Sequence, residues 1–414
     1  MMSVAIGALR DPLPGVLMAA AVVVLACRAG AAVMRGLGQT AVVGEIAVGI
    51  LLGPTLLGWL WPAGERWLLP GEVVAYLGVL GNVGLVVFMF LVGLELDLGL
   101  LRGSGRAVVL VSQATVAVPL GLGALLALAM YGSFAPAGVG RTEFVLFVAV
   151  ALSLTAFPLL ARILTEEGLY ATPVGALAMA CAAVADVVAW CLLAVVVAVA
   201  GDGGAERVLL TVAAAAAFLA AMWWGVRPLL ARWGAPGGVA GLFAGVCLAA
   251  WATDAIGVHA LFGAFLFGAV VPRDSEPARR AAERMREFAA PVLLPLFFVG
   301  SGLRTDIGLL GADAAGWLWA AAVLAVAVAA KWGAGTGAAL LAGRPVREAV
   351  TLGALMNCRG VTELVVLNIG LGLGVIGPRL FTVLVLMALT TTALTAPTVR
   401  RTAAPYRLAE VPDR

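Results

Sequence analysis

Apolar runs of about 20 residues follow one another from residue 13 to residue 398, separated only by short polar stretches. A run of that length matches the hydrocarbon thickness that an α-helix crosses at 1.5 Å per residue. Thirteen such runs can be marked: 13–34, 41–61, 73–95, 107–131, 143–164, 173–200, 207–230, 237–256, 257–272, 288–303, 314–342, 347–371 and 376–398. The ninth is short, and its separation from the eighth rests on Asp254, Gly257 and His259, so a count of twelve is the alternative. Lipid leaves backbone amides and carbonyls no external partner, so spanning segments of this length are read as helices. The expectation is an all-α polytopic membrane protein with about 13 transmembrane helices.

The composition agrees. Only 12% of the 414 residues are charged and 63% are apolar, whereas soluble domains carry about 25% charge. A net charge of +3 with scattered arginines makes nucleic acid an unexpected partner. The five cysteines, Cys27, Cys181, Cys191, Cys247 and Cys358, sit in apolar runs without metal-ligand spacing and are expected to be buried as small hydrophobes. Neither a cofactor nor a nucleotide is expected, and no signal peptide is read at the N-terminus. Arginines crowd the loops that share a side with the 273–287 stretch, which places that side, and the C-terminus, in the cytoplasm of an inner (plasma) membrane. The 273–287 stretch itself is charged enough to form a short surface helix. The division into domains takes 1–399 as the transporting unit, with core helices about 73–200 and 288–371, the rest as dimerisation or scaffold helices, and 400–414 as a short cytoplasmic tail.

Two spans contain residues that a plain helix avoids. The fifth reads Ser153-Leu154-Thr155-Ala156-Phe157-Pro158, where the proline removes an amide and clashes with the preceding turn. The twelfth reads Met356-Asn357-Cys358-Arg359-Gly360-Val361-Thr362-Glu363, with a glycine and two charges at membrane depth. Irregular backbone in a membrane is tolerated only inside protein or against a water-filled cavity. If repeats run over spans 2–6 and 9–13, each interrupted helix is the fourth of its repeat. An offset of seven spans inverts their topology, as in many secondary transporters.

The charges inside the spans are few. Asp186 lies near the centre of span 6, where a carboxylate costs at least about 2.5–3.5 kcal/mol and normally has a task. Burial favours its proton and a bound cation favours its charge, so one carboxylate can exchange the two. Lys331 is the chain's only lysine and lies mid-span in the eleventh run, with Asp186 as its natural partner; a purely structural ion pair is the alternative. Arg359 and Glu363 are spaced i, i+4 and are read as neutralising the ends of the broken helix more than as transport residues. Glu45, Glu95 and Asp97 fall near interfaces, with solvated or capping roles expected. His259, the only histidine, is read as a hydrogen-bonding residue, with pH sensing as the alternative.

Several stretches resemble the monovalent cation:proton antiporter-2 family, the group of Kef-type and plant cation/proton exchangers. They are Val43–Ile46 through Leu51–Pro54, Phe88–Asp97, Ser153–Arg162, Ala185–Trp190, His259–Phe265, Leu294–Leu303 and Met356–Gly370. The resemblance implies an inverted-repeat sodium/proton antiporter fold with two broken, crossing helices, and a homodimer in which a core moves against a dimerisation unit. It implies that Asp186 binds the transported ion, Na⁺ or K⁺, in competition with H⁺. It further implies that Thr155, with Ser153 on the loosened backbone, lines the site, and that Lys331 is the basic residue facing it. Arg359 and Glu363 complete the charge compensation, and Pro158, Asn357 and Gly360 mark the breaks. The family usually has Asp, Asn or Gln before the key aspartate, where this chain has Ala185; the expectation is therefore one-for-one, electroneutral exchange. No glycine-rich phosphate loop follows residue 399, so nucleotide or glutathione gating is not expected. An organic-anion carrier on a related inverted-repeat scaffold is the alternative function, with Arg359 and Lys331 supplying its cationic cavity.

Overall fold

The computed structural model describes residues 12–95, 105–170, 172–200, 204–233, 238–257, 259–272, 275–311 and 314–408, and all of their regular structure is helical. The first half holds α1 (Leu13–Gly36), α2 (Ala41–Leu52), α3 (Leu57–Leu60), α4 (Pro62–Leu68), α5 (Gly71–Glu95), α6 (Gly105–Phe134), α7 (Arg141–Ser153), α8 (Phe157–Glu166) and α9 (Pro173–Ala200). The second holds α10 (Gly204–Ala220), α11 (Arg227–Trp233), α12 (Gly238–Ile256), α13 (Ala260–Val270), α14 (Glu276–Phe288), α15 (Leu294–Leu303), α16 (Ala314–Leu341), α17 (Val346–Met356), α18 (Val361–Gly372) and α19 (Pro378–Leu408). A π-helical turn joins α14 to α15 without a loop, so the chain stays helical from Glu276 to Leu303.

Ten of these helices, some of them joined segments, are long and apolar enough to span a bilayer. Three of the marked runs take other forms. Runs 143–164 and 347–371 are each split into two half-helices, α7/α8 and α17/α18, and run 257–272 is the 11-residue α13. Gly257, with φ of +92°, turns the chain between α12 and α13, a left-handed conformation that glycine adopts without a Cβ penalty. The charged 273–287 stretch contains the amphipathic α14, capped by Ser275, whose hydroxyl accepts from the Ala278 amide. The expected tail from residue 400 begins as helix, because α19 continues to Leu408.

The helices pack into two bodies. In the first, α5 lies against α13 and α15, α2 against α1 and α15, and α12 against α13 and α14. In the second, α6 lies against α7, α9 and α16, and α17 and α19 close over α16. By these contacts α5 and α15 lie with α2 and α13, and α19 lies with α16 and α17. Small residues set these contacts, as membrane interfaces require when helices must approach closely. A Cβ on Gly93 would stand 2.0 Å from the Phe265 carbonyl, and one on Gly268 2.0 Å from the Phe90 carbonyl, so α5 and α13 touch backbone to backbone.

The outer surface is apolar, with Leu25, Trp224, Trp251 and Leu318 each about two-thirds exposed or more. This is the surface that the scarcity of charge requires. The cysteines divide: Cys27, Cys181 and Cys358 are buried as expected, but Cys191 and Cys247 lie on the exposed face. A helix in lipid can point a thiol outward at no polar cost, so apolar context alone does not fix burial.

Candidate ion-binding site

The centre of the second body is built from the two breaks. α7 ends at Ser153, and Leu154 and Ala156 are extended, with ψ of 146° and 91°. Pro158 does not kink a continuous helix. It falls in the first turn of α8, where its missing amide has no intrahelical partner to lose. α17 ends at Met356, and Asn357 to Gly360 run non-helically to α18. The breaks meet: the Ala156 amide donates to the Cys358 carbonyl at 3.0 Å, and the Thr155 hydroxyl lies 3.5 Å from the Met356 carbonyl. Gly360 lies beneath Leu159 and Ala156, and a Cβ there would approach Leu159 Cδ2 to 2.6 Å.

Each break exposes helix ends inside the membrane, and unmatched carbonyls there are costly. Positive side chains from elsewhere meet those of α7. Arg359 donates to the carbonyls of Ala151 at 3.1 Å and Leu152 at 2.6 Å, and Lys331 donates to that of Ser153. The Ser153 hydroxyl donates back to the Val150 carbonyl at 2.8 Å. A helix C-terminus carries partial negative charge, so both cations sit where the helix dipole favours them. Arg359 also holds Glu363 at 3.1 Å, and both are fully buried. Glu363 is in the first turn of α18, the favourable end for a carboxylate. Arg359 thus acts on the opposite broken helix as well as its own, which the i, i+4 spacing alone does not show.

Asp186 is buried on α9. The backbone amide of Phe157, the first residue of α8, hydrogen-bonds its carboxylate, while its Oδ1 has no partner among the described residues. Lys331 acts on Asp186 through space rather than by contact, since its ammonium is seated on the Ser153 carbonyl. Glu363 Oε2, Asn357 Oδ1 and Thr362 Oγ1 are likewise buried without partners. Four ionisable groups, Asp186, Glu363, Lys331 and Arg359, therefore surround the crossing with balanced charge.

Sequence reasoning missed Thr392. From α19 its hydroxyl accepts from the Arg359 amide at 3.3 Å and donates to the Arg359 carbonyl, holding the middle of the second break. The cluster Thr390, Thr391, Thr392 and Thr395 in an otherwise apolar span was its available signal.

Glu45 and Glu95, expected to be solvated or capping, line a cavity of about 850 Å³ between the two bodies. Its walls are α1, α2, α5 and the α14–α15 junction on one side, and Leu159, Ala161 and Thr165 of α8 on the other. Glu95 pairs with Arg286 of α14 at its mouth. Asp97 lies outside the described residues. Asp254 closes α12, and His259 caps α13 by accepting from the Leu261 amide at 3.4 Å. Burial pushes the His259 imidazole below its ordinary 6.5, partly opposed by Asp254.

An all-helical membrane body with two broken helices crossing around buried, balanced charge defines a secondary ion transporter. The chain belongs to the sodium/hydrogen exchanger (transmembrane) family, whose pattern matches residues 20–404. It is 39% identical to the Na⁺/H⁺ antiporter NhaS4 of Synechocystis over 87% of this chain and 90% of that one. It is 40% identical to cation/H⁺ antiporter 20 of Arabidopsis thaliana over 95% of this chain, but spans only 49% of that protein. In fold it resembles the sodium proton antiporter MjNhaP1 of Methanocaldococcus jannaschii, with a TM-score of 0.64 at 14% identity over 96% of this chain and 99% of that one. The chain is a multi-pass membrane protein of an antiporter family.

Proposed function

We propose that this chain exchanges a monovalent cation, Na⁺ or K⁺, for H⁺ by alternating access, with cation and proton competing for Asp186. One observation carries the reading: Asp186 is held at the crossing by a backbone amide on one side and offers a buried, unpartnered carboxylate oxygen on the other. Desolvation makes an unneutralised carboxylate there unfavourable, so either a proton or a small cation completes it. Ser153 and Thr155 supply further oxygens in the same break. Lys331 remains on the Ser153 carbonyl, so it tunes Asp186 without blocking it.

The single carboxylate also bears on stoichiometry. One proton or one monovalent cation on Asp186 changes the site by the same single charge. Ala185 adds no second carboxylate. The exchange is then one-for-one and electroneutral. An organic-anion carrier would need free positive charge, but here Arg359 is engaged by Glu363 and two carbonyls and Lys331 by a third. The second body would move against the first, which forms the dimer in an inner (plasma) membrane with the α14 face and C-terminus in the cytoplasm.

Proteoliposomes with an imposed pH gradient and a pH dye test this. Na⁺ or K⁺ should collapse the gradient in the wild type without generating a membrane potential, and Asp186→Asn should abolish the response. Full exchange in Asp186→Asn would remove the aspartate from the mechanism, and a cation-driven current would remove the stoichiometry.

A further inference from the structure

The two half-helices that leave the crossing have unlike surroundings. Along α8, the cavity separates Leu159, Ala161 and Thr165 from Phe88, Leu91 and Glu95 of α5. Along α18, the corresponding space is closed by the end of α15. Asn368, two turns beyond the start of α18, donates to the Ser301 hydroxyl at 3.0 Å and accepts from Arg304 at 3.2 Å. It also donates to the Leu364 carbonyl of its own helix at 2.8 Å, which fixes the amide's direction.

These bonds cross between the two bodies. The α15 end belongs firmly to the first, because Gly302 packs on Gly49 of α2 so closely that a Cβ on Gly302 would lie 2.6 Å from the Gly49 Cα. Thr55, beyond α2, also bonds the Thr305 carbonyl at 3.0 Å and the Ile307 amide at 3.2 Å. Further bonds between the bodies run from the Asp306 amide to Thr382 of α19 at 3.2 Å and, at the far end of α19, from Arg400 to the Gly38 carbonyl at 2.8 Å. The α15 end with Ser301 and Arg304 is thus packed on and bonded to the α2 side, and Asn368 is carried by α18.

We infer that Asn368, Ser301 and Arg304 form a latch that closes the α18 flank of the site while the α8 flank stands open, and that transport requires this latch to open. The inference rests on the alternating-access reading. In inverted repeats, α5 and α15 hold equivalent places beside α8 and α18, so the state of opposite access parts α15 from α18 and brings α5 onto α8. No ion needs to pass through the amide of Asn368. It is a positioning residue, and it sets the balance between the two states.

Matched thiol reporters read that balance without requiring transport. Ala161→Cys and Val365→Cys each stand four residues past the start of their half-helix; Ala161 lines the cavity and Val365 is buried. With labelling of each reporter followed by mass spectrometry in purified full-length protein, the first should react readily and the second slowly. Ser301→Ala and Asn368→Leu should each slow the first and accelerate the second, by about fivefold per hydrogen bond lost. Unchanged labelling at both reporters, in variants that remain monodisperse, overturns the latch. A second test joins Ser301→Cys to Asn368→Cys with a short reducible cross-linker. Exchange should stop on cross-linking and return on reduction, and exchange that continues through the cross-linked protein also overturns it. Failure of the functional reading is distinguishable, because it shows as exchange surviving Asp186→Asn whatever the reporters do.

Discussion

The two broken helices occupy equivalent places in the repeats, yet they are stabilised in opposite ways. The α7/α8 break contains no charge, and its carbonyls depend on Lys331 from α16 and Arg359 from the other break. The α17/α18 break carries its own ion pair and is pinned through Thr392 of α19. One break is thus held by distant groups and faces Asp186, while the other holds itself and its partner. Asp186 meets the uncharged break through the Phe157 amide and keeps its other carboxylate oxygen, Oδ1, without a partner among the described residues. Under the proposed exchange, a site that accepts and releases a cation cannot have every charge locked into permanent pairs.

Arg359 is where this comparison breaks most easily. Arg359→Leu leaves Glu363 buried without its partner, removes the donor to the Leu152 carbonyl, and leaves the Ala151 carbonyl with only the Leu154 amide at 3.5 Å. Removing one partner of a buried pair costs about 3–5 kcal/mol, so thermal unfolding in detergent should show the largest loss of any single change in the site. The double change Arg359→Leu with Glu363→Leu should recover part of that loss, since it removes the stranded charge; no recovery would mean that the carbonyl contacts dominate.

Thr392→Val tests the self-held break alone. It orphans the Arg359 amide and should cost about 1–3 kcal/mol. If the comparison is right, it loosens α17/α18 more than α7/α8, which hydrogen exchange at Cys358–Gly360 against Leu154–Ala156 would resolve. Equal loosening of both would show that the crossing behaves as one unit.

Gly360→Ala is a smaller probe. Its added carbon meets the flexible end of Leu159, which can move by rotation, so the expected loss is below about 1 kcal/mol by the same thermal measurement. A larger loss would mean that the crossing packs as rigidly as the α5–α13 contact.

The smallest effect belongs to the α12–α13 interruption. The His259 imidazole accepts a hydrogen bond when neutral, and its pKa lies below 6.5 in the folded chain. The folded state therefore disfavours the proton more than the unfolded state does. Its contribution is complete above 6.5 and is lost as pH falls through the folded value. His259→Asn, which keeps a capping acceptor, should flatten this part of the pH–stability curve while leaving the crossing untouched. An unchanged curve would assign the acid sensitivity to other groups.

Much of this was legible in the residues. Apolar length determined the spans, because lipid admits little else. Pro158, Gly360, Arg359 and Glu363 marked the interruptions, because each is expensive in a continuous buried helix. Asp186 and Lys331 stood out because a charge in hydrocarbon is rarely idle. Less legible were groups whose meaning depends on what crosses them. Thr392 and Asn368 look like ordinary polar residues in apolar helices, and only the approach of Arg359 and Ser301 gives them tasks. The grouping of α5 and α15 with α2 rather than with the broken helices likewise depends on small-residue contacts such as Gly49 on Gly302, which no periodicity reports.

The sequence by itself determined that the chain is a helical membrane protein with two interrupted spans and a few buried charges, since those properties follow from hydropathy and from the covalent limits of proline and glycine. The tertiary structure alone decided which carbonyl each cation meets, which carboxylate oxygen stays open, and which flank of the site is closed. Those are matters of distance between segments far apart in the chain, and distance is what folding supplies.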